Sequence, residues 1–384
     1  MSISWPLVKL SDVLLPSKEI AEIDSKEEYK EITVRLWGKG VNLRGIKRGN
    51  DFGTGKRFIA SENQFIMSKI DARHGAYGVI PEFLNGGLVT ADFPLFSAIP
   101  EKLNVDYLNW LSKSPWFIDE CKRASKGTTN RKRLKTDLFL DIKINLPSIQ
   151  EQNKIVDKLN RFQAKINEST DLRKSLLIDA EALLSSTFSE LISCAKYKSM
   201  SELAPIVRRK VEVSIETEYP ELGVRSFGKG TFHKPILNGI DVGNKKLYKI
   251  EPNDLLFSNV FAWEGAIAVV QSADKGRVGS HRFISCVAKE NLITSGFLCF
   301  YLLSKEGMEK IREASPGGAG RNRTLGLKKL EKIEVPIPDY QEQLKFNKLQ
   351  QKVSDIKNAQ KENKKELEAL MPSILDKAFK GELI

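Results

Sequence analysis

Leu146-Pro-Ser-Ile-Gln-Glu-Gln152 opens a long apolar-periodic stretch that runs to about Lys196, and Ile337-Pro-Asp-Tyr-Gln-Glu-Gln343 opens a second one running to Ile384. In each, a proline stops the preceding structure, a capping side chain follows (Ser148, Asp339), and a glutamate three residues on (Glu151, Glu342) can reach back to the cap's own N–H. That is the capping-box pattern, which satisfies two orphan donors at a helix start. In the second stretch Phe346, Leu349, Val353, Ile356, Gln360, Asn363, Leu367, Leu370 and Ile374 recur at alternating spacings of three and four, a heptad seam. The first carries a looser stripe: Ile155, Leu159, Phe162, Ile166, Leu172, Leu176, Ala180, Leu183 and Phe188. Each predicted helix reaches roughly 65–70 Å if unbroken. A helix that long with one apolar stripe needs a partner, and the natural one is the other copy. Pro372 removes an intrahelical bond, so a kink or restart is expected near Met371.

Working outward, the remainder is also doubled. Tyr29-Lys-Glu-Ile-Thr-Val-Arg-Leu-Trp-Gly-Lys-Gly-Val41 lies over Tyr219-Pro-Glu-Leu-Gly-Val-Arg-Ser-Phe-Gly-Lys-Gly-Thr231, with seven of thirteen positions identical at an offset of 190. The same offset pairs Ser68 with Ser258, Gly75-Ala76 with Gly265-Ala266, and Arg131-Lys-Arg133 with Arg321-Asn-Arg323. A period this long means duplicated domains and not a solenoid. The fold class predicted is α+β: two pseudo-repeated α/β domains separated by two long helices packed as an antiparallel coiled coil. The boundaries are residues 1–147 for the first domain, 148–196 for the central helical region, 197–338 for the second domain and 339–384 for the distal helical region.

Within the domains, turn signals separate short β-type runs. The first has Ile32–Leu36, Gln64–Ser68, Tyr77–Ile80 and Leu140–Asn145; the second has Leu255–Ser258, Ala266–Val270, Arg282–Val287 and Lys332–Val335. One helix is expected at Val105–Ala124 and its match at Thr294–Ala314.

The net charge of +12 is unevenly placed. Residues 1–147 carry 23 Lys and Arg against 18 Asp and Glu, and residues 197–338 carry 22 against 16. The helical regions are nearly neutral, at 7 against 7 and 9 against 8. Positive charge confined to two globular units fits a polyanionic partner that touches both. The strongest candidate contact is Lys126-Gly-Thr-Thr-Asn-Arg-Lys-Arg133 (Lys126, Thr128, Thr129, Asn130, Arg131, Arg133), opposite Arg321, Asn322 and Arg323. The next is Lys69, Arg73 and His74, opposite Asn259 and Trp263, where the copies occupy one place with different chemistry. Arg35, Lys39, Arg225 and Lys229 in the matched block suit phosphates, and His281 and Arg282 complete the set. Arginine pairs with guanine and asparagine with adenine in the major groove, while lysine and hydroxyls more often hold phosphates.

Motifs for catalysis are missing. Gly53-Thr-Gly-Lys-Arg57 lacks the first glycine and the closing Ser/Thr of a Walker loop. His74, His233 and His281 have no metal-ligand spacing, and Cys121, Cys194, Cys286 and Cys299 are scattered, as in a cytoplasmic protein with reduced thiols. No apolar run is long enough to span a membrane. The N-terminus shows no signal-peptide pattern.

Two divergent domains, each ending in a Pro…Gln-Glu-Gln segment and a long helix, resemble the specificity subunit of type I restriction–modification enzymes. Leu375-Asp-Lys-Ala-Phe-Lys-Gly-Glu-Leu383 is similar to that family's usual ending. The resemblance implies two target-recognition domains, each docking on half of a bipartite site in double-stranded DNA, with the helices as an antiparallel ruler. It also implies partners: two methyltransferase subunits that modify adenine with S-adenosylmethionine, and restriction subunits that translocate and cut. The chain itself would be non-catalytic and bind no cofactor. A coiled-coil adaptor with basic protein-binding domains is the rival expectation.

Overall fold

The computed structural model describes residues 5–127, 132–317 and 323–382. It divides into two compact units, one holding residues up to Arg173 together with those from Gln360 onward, the other Lys174–Ala359. The units therefore cut across both long helices.

The first unit holds β1 (Leu7–Lys9), β2 (Leu14–Ser17), β3 (Glu28–Val34), β4 (Val41–Arg48), β5 (Phe58–Ala60), β6 (Phe65–Met67), β7 (Tyr77–Val79), β8 (Gly87–Val89) and β9 (Leu95–Ala98). There follow α1 (Val105–Ser112), α2 (Pro115–Arg123), β10 (Ser125–Lys126), β11 (Arg133–Leu134), α3 (Thr136–Leu140) and β12 (Lys143–Asn145). The long helix α4 (Ile149–Ser193) begins in this unit. Two four-stranded sheets, ordered β2-β9-β6-β7 and β4-β3-β8-β5, form the frame, and β1 pairs with β12. β3 meets β4 antiparallel and β8 parallel.

The second unit repeats this plan. It contains β13 (Lys196–Ser199), α5 (Met200–Leu203), β14 (Ile206–Val207), β15 (Glu218–Val224), β16 (Thr231–Asn238), α6 (Gly239–Val242), β17 (Leu247–Lys249), β18 (Leu255–Ser258), β19 (Ile267–Val269), β20 (Val278–Ser280) and β21 (Phe283–Cys286). Then come α7 (Ser295–Leu303), α8 (Lys305–Glu313), α9 (Leu327–Glu331), β22 (Glu334–Ile337) and the start of α10 (Tyr340–Phe379). Its sheets run β14-β21-β18-β19 and β16-β15-β20-β17, the same order, with β13 on β22. Even the irregularity is shared: β3 is bulged at Glu31/Ile32 and β15 at Pro220/Leu222. A bulge bends and twists a strand locally, so its repetition marks a designed feature of the unit.

Each expected single helix is two. Ser114 caps α2 by accepting from the Phe117 N–H, with Pro115 in the first turn, and Ser304 caps α8 through the Gly307 N–H. A serine acceptor at the cap and a proline already missing its N–H restart a helix at little cost. The run expected as a strand at Leu140–Asn145 splits into the end of α3 and β12. None of the four cysteines is disulfide-bonded.

The triplet glutamines join the long helices to the sheets. Gln152 is fully buried; its Oε1 accepts from the Asn104 N–H (2.8 Å) while Nε2 donates to the carbonyls of Lys102 and Pro147 (2.9 Å each). Gln343 does the same to the Thr294 N–H and to the carbonyls of Leu292 and Pro338. At the first helix the full capping box forms: Glu151 accepts from the Ser148 N–H, and the Ser148 hydroxyl accepts from the Glu151 N–H. The Ser148 hydroxyl and N–H hold the Glu151 carboxyl below its ordinary pKa. At the second, Asp339 caps the N–H groups of Gln341 and Glu342, but Glu342 turns to Lys345 instead. An aspartate cap is already a carboxylate, and a second one folded back onto it would be repelled.

The long helices pack together. In the first unit Ile155, Val156 and Leu159 share a core with Leu375 and Ala378, and Gln360 donates to the Arg173 carbonyl (2.8 Å). In the second, Phe188 meets Phe346, and Lys357 pairs with Glu181. Early residues of α4 thus face late residues of α10, and late face early: in each unit the helices run antiparallel. Val353 is buried, and Ile166, Leu349, Ile356, Leu367 and Ile374 are half-buried. Phe162, Leu172, Leu176, Leu183 and Leu370 are exposed, which corrects the expected seam. In α4 the half-buried positions include Leu177, Ala180 and Leu184, each of these leucines one place after an expected one. In α10 Met371 packs on the core in place of Leu370. Helix α10 continues through Pro372 without the expected restart. Pro372 lies on an exposed position, where the carbonyl it leaves unpaired can meet water.

Candidate nucleic-acid interface

The turn between β3 and β4 is closed by Arg35 N–H to the Gly40 carbonyl and Lys39 N–H to the Leu36 carbonyl. It is fastened to the following loop by Trp37 N–H to the His74 carbonyl (2.8 Å) and Gly38 N–H to the Gly75 carbonyl (2.9 Å). Gly75 sits at φ +76°, and a Cβ there would stand 3.2 Å from the Gly38 nitrogen, so the two loops touch backbone to backbone. Lys69 N–H donates to the Asp92 carbonyl and its own carbonyl accepts from the Leu134 N–H (2.8 Å each). Four sequence-distant segments, 35–40, 69–75, 91–92 and the β10–β11 pair, therefore converge on one surface.

The second unit builds the same frame. Phe227 N–H reaches the Glu264 carbonyl, Gly228 N–H the Gly265 carbonyl, Asn259 N–H the Arg282 carbonyl (2.7 Å), and Leu325 N–H the Asn259 carbonyl (2.9 Å). Residues expected as separate candidates are thus neighbours. Thr128, Thr129, Asn130, Arg131, Arg321 and Asn322 lie outside the described residues.

On this common backbone the side chains differ. Lys69 donates to the Ala91 carbonyl, and Arg133 pairs with Asp92 at 3.2 Å. At the corresponding places stand Asn259, and an Arg323 guanidinium over the Trp263 ring at 5.3 Å, with exposed Arg282 where Asp92 was. His281 is exposed. Its carbonyl, not its ring, is engaged, accepting from Arg208. Lys126 is exposed and lies across the β10–β11 pair from Arg133. Arg35, Lys39, Arg225 and Lys229 are all exposed at the turn, though Arg225 also donates to the Thr231 carbonyl.

Two atoms of the converging loops are buried without a hydrogen-bond partner: Arg73 Nε and Asn259 Oδ1. Such atoms also occur away from these loops, at Trp5 Nε1 and Tyr77 Oη, so the two are open to water and to a ligand alike. Beside the second turn, Asp274 accepts from the Thr231 hydroxyl, the Gln271 N–H and the His233 ring. Burial pushes its pKa up, but those bonds outweigh it and hold the carboxyl below its ordinary value.

Sequence reading missed Asp92, which ties down Arg133, and the two turn aromatics, Trp37 and Phe227. The offset of 190 already aligned Trp37 with Phe227, and that was the available signal. No signal marked Asp92, whose counterpart is Arg282. Among the described residues no group of three or more His, Cys, Asp or Glu is placed to hold a metal ion, and no helix is long and apolar enough to cross a membrane.

Comparison with known proteins agrees with this duplicated plan. Over 325 residues, 79% of this chain and 73% of the relative, the chain is 23% identical to a protein named as a type I restriction enzyme MjaX specificity subunit, from Methanocaldococcus jannaschii. The crystal structure of the HsdS subunit from Thermoanaerobacter tengcongensis superposes with a TM-score of 0.68 at 19% identity, covering 99% of this chain and 97% of that one. A further solved chain, from work on complex assembly and conformational transition of the type I R-M system, gives 0.66 at 19% identity, with 99% and 98% covered. The model of the type I restriction modification DNA specificity domain matches twice, at residues 3–176 and 200–369. Those two matches take in most of the chain, which belongs to the type I restriction–modification DNA specificity family, whose S subunits are specificity components and not catalysts.

Proposed function

We propose that the chain recognises a bipartite, gapped site in duplex DNA, one half through each unit, and recruits methyltransferase and translocase/nuclease subunits to it. The observation that carries this reading is a single backbone frame presented twice with different side chains. A shared frame would let both units approach the same kind of ligand in the same way, and the differing side chains would read different bases. Lys69, Arg73, His74, Asp92 and Arg133 form one set; Asn259, Trp263, Glu264, Arg282 and Arg323 form the other. Two atoms of these sets, Arg73 Nε and Asn259 Oδ1, are buried and lack a partner. Exposed Arg35, Lys39, Arg225 and Lys229 beside them suit phosphates, which position a protein on DNA without conveying sequence. S-adenosylmethionine would be held by the methyltransferase subunits, which transfer its methyl group to adenine.

Methylome sequencing of cells with and without this chain, each supplied with its methyltransferase partner, tests the proposal. A gapped adenine-methylated motif should be present with the chain and vanish without it. A methylome that is the same in both cells, or a methylated motif with no gap, counts against it.

A further inference from the structure

Only five non-glycine residues among the described residues adopt positive φ: Asn63, Asn253, Asn291, Trp37 (φ +63°) and Phe227 (φ +63°). Asparagine tolerates the left-handed region; for a bulky aromatic it is a genuine outlier. Trp37-Gly38 and Phe227-Gly228 fill the two central positions of tight hairpin turns with positive φ at both, where Asn-Gly is the comfortable pair. The fold gains no core from these rings. Trp37 is 70% exposed and Phe227 73% exposed. The His74 ring stands 5.7 Å from Trp37, and the Lys229 ammonium 5.6 Å from Phe227. A costly conformation, kept in both units, that presents a bare ring to solvent points to a function outside the fold.

We propose that Trp37 and Phe227 are aromatic wedges that stack on a base step of duplex DNA, one in each half-site. Three observations select DNA as the occupant. Each ring is flanked by exposed cations (Arg35 and Lys39; Arg225 and Lys229), a charge pattern complementary to phosphates on either side of a step. Each turn is fastened by two backbone hydrogen bonds to the loop carrying the unit's distinctive side chains, so a duplex touched by that loop lies within reach of the ring. The aromatic is common to both units while the adjoining loops differ. That fits a stacking contact, which tolerates every base because each has a π-face, beside contacts that discriminate. Apolar side chains pressed between base pairs unstack and bend the duplex, which couples the ring to DNA shape and not to base identity.

This inference rests on the DNA-specificity reading above, and the test separates the two. Trp37→Asn and Phe227→Asn place the turn-compatible residue at each site. Each variant is assembled as the full chain with its methyltransferase subunits. It is titrated with a duplex carrying the methylated motif its own methylome assigns, with 2-aminopurine placed in turn through each half-site. Wild type should brighten 2-aminopurine at one step per half; W37N should lose that signal in one half only and F227N in the other. Each variant should bind about 5- to 150-fold more weakly, with an unchanged motif and an unlowered thermal midpoint, because the strained residue has gone. Unchanged affinity and fluorescence would overturn the wedge, as would a lowered midpoint, which would make the ring structural. Loss of assembly with DNA binding retained would instead assign the ring to a protein partner and overturn it too. A wild-type complex that prefers no duplex sequence would sink the specificity reading and the wedge together.

Discussion

Asn259 sits where three segments of the second unit meet. Its backbone is spent on Arg282 and Leu325, which fixes the Cα, while its side-chain Oδ1 is buried without a partner. An amide so placed is positioned by the fold but not satisfied by it, and a base edge with a donor would complete it; asparagine pairs well with adenine. Asn259→Ala should therefore relax one position of one half of the methylated motif, at about 1–3 kcal/mol of discrimination there. The other half should be untouched. Methylome sequencing of cells carrying the variant reads this directly, and a motif unchanged at every position would remove Asn259 from readout. Residue identity was legible here because the 190-residue offset set Asn259 against Lys69. That the carbonyl of Asn259 holds Leu325 was not, since nothing local in sequence records which distant strand a carbonyl will meet. The same limit hid Asp92: its ion pair with Arg133 depends on two chain segments that meet through Lys69, whose N–H holds Asp92 and whose carbonyl holds Leu134.

At the scale of elements, the long helices announced themselves through caps, but their facing side did not. Leu176-Leu177 and Leu183-Leu184 each offer two adjacent leucines, and a helical stripe can be drawn through either set. Packing chose Leu177 and Leu184, because the face of α4 that is buried is set by α10 and not by composition. The break between α1 and α2 was written in Ser114-Pro115, a cap followed by a first-turn proline. Gln152 is the least legible element of all: a glutamine beside a glutamate at a helix start reads as solvent-facing. It is instead a buried clamp holding one N–H and two carbonyls of the first unit. Gln152→Leu keeps the bulk and strands those backbone groups, and each buried unsatisfied group costs about 1–3 kcal/mol. The expected loss is about 2–4 kcal/mol of stability, partly relieved by local relaxation. Gln351→Leu, on an exposed position of α10 where only Asp355 is bonded, should change stability by no more than about 0.5 kcal/mol. Urea unfolding of both variants makes the comparison; equal midpoints would show that the clamp is dispensable.

For the whole molecule, the duplication has a consequence for engineering. Each unit carries its own sheets, its own converging loops and its own stretch of paired helix, since the core of the first joins Tyr107 to Phe379 and that of the second joins Phe297 to Phe346. Side chains at the candidate interface are drawn from one unit at a time, so recognition of each half-site should be separable. Exchanging residues 1–147 for the corresponding domain of another family member should change one half of the methylated motif and leave the other half as it was. The exchange succeeds only if the incoming domain keeps the groups that meet the retained helices: the segment bonded by Gln152, and an aromatic at the place of Tyr107, whose ring stands edge-on to Phe379 at 5.4 Å. A donor lacking these should give an unstable chimera even though its own sheets are intact, and restoring the aromatic alone should recover part of the loss. Should a stable chimera change both halves of the motif, the units do not read independently. Should it change neither, the loops of residues 1–147 do not read bases.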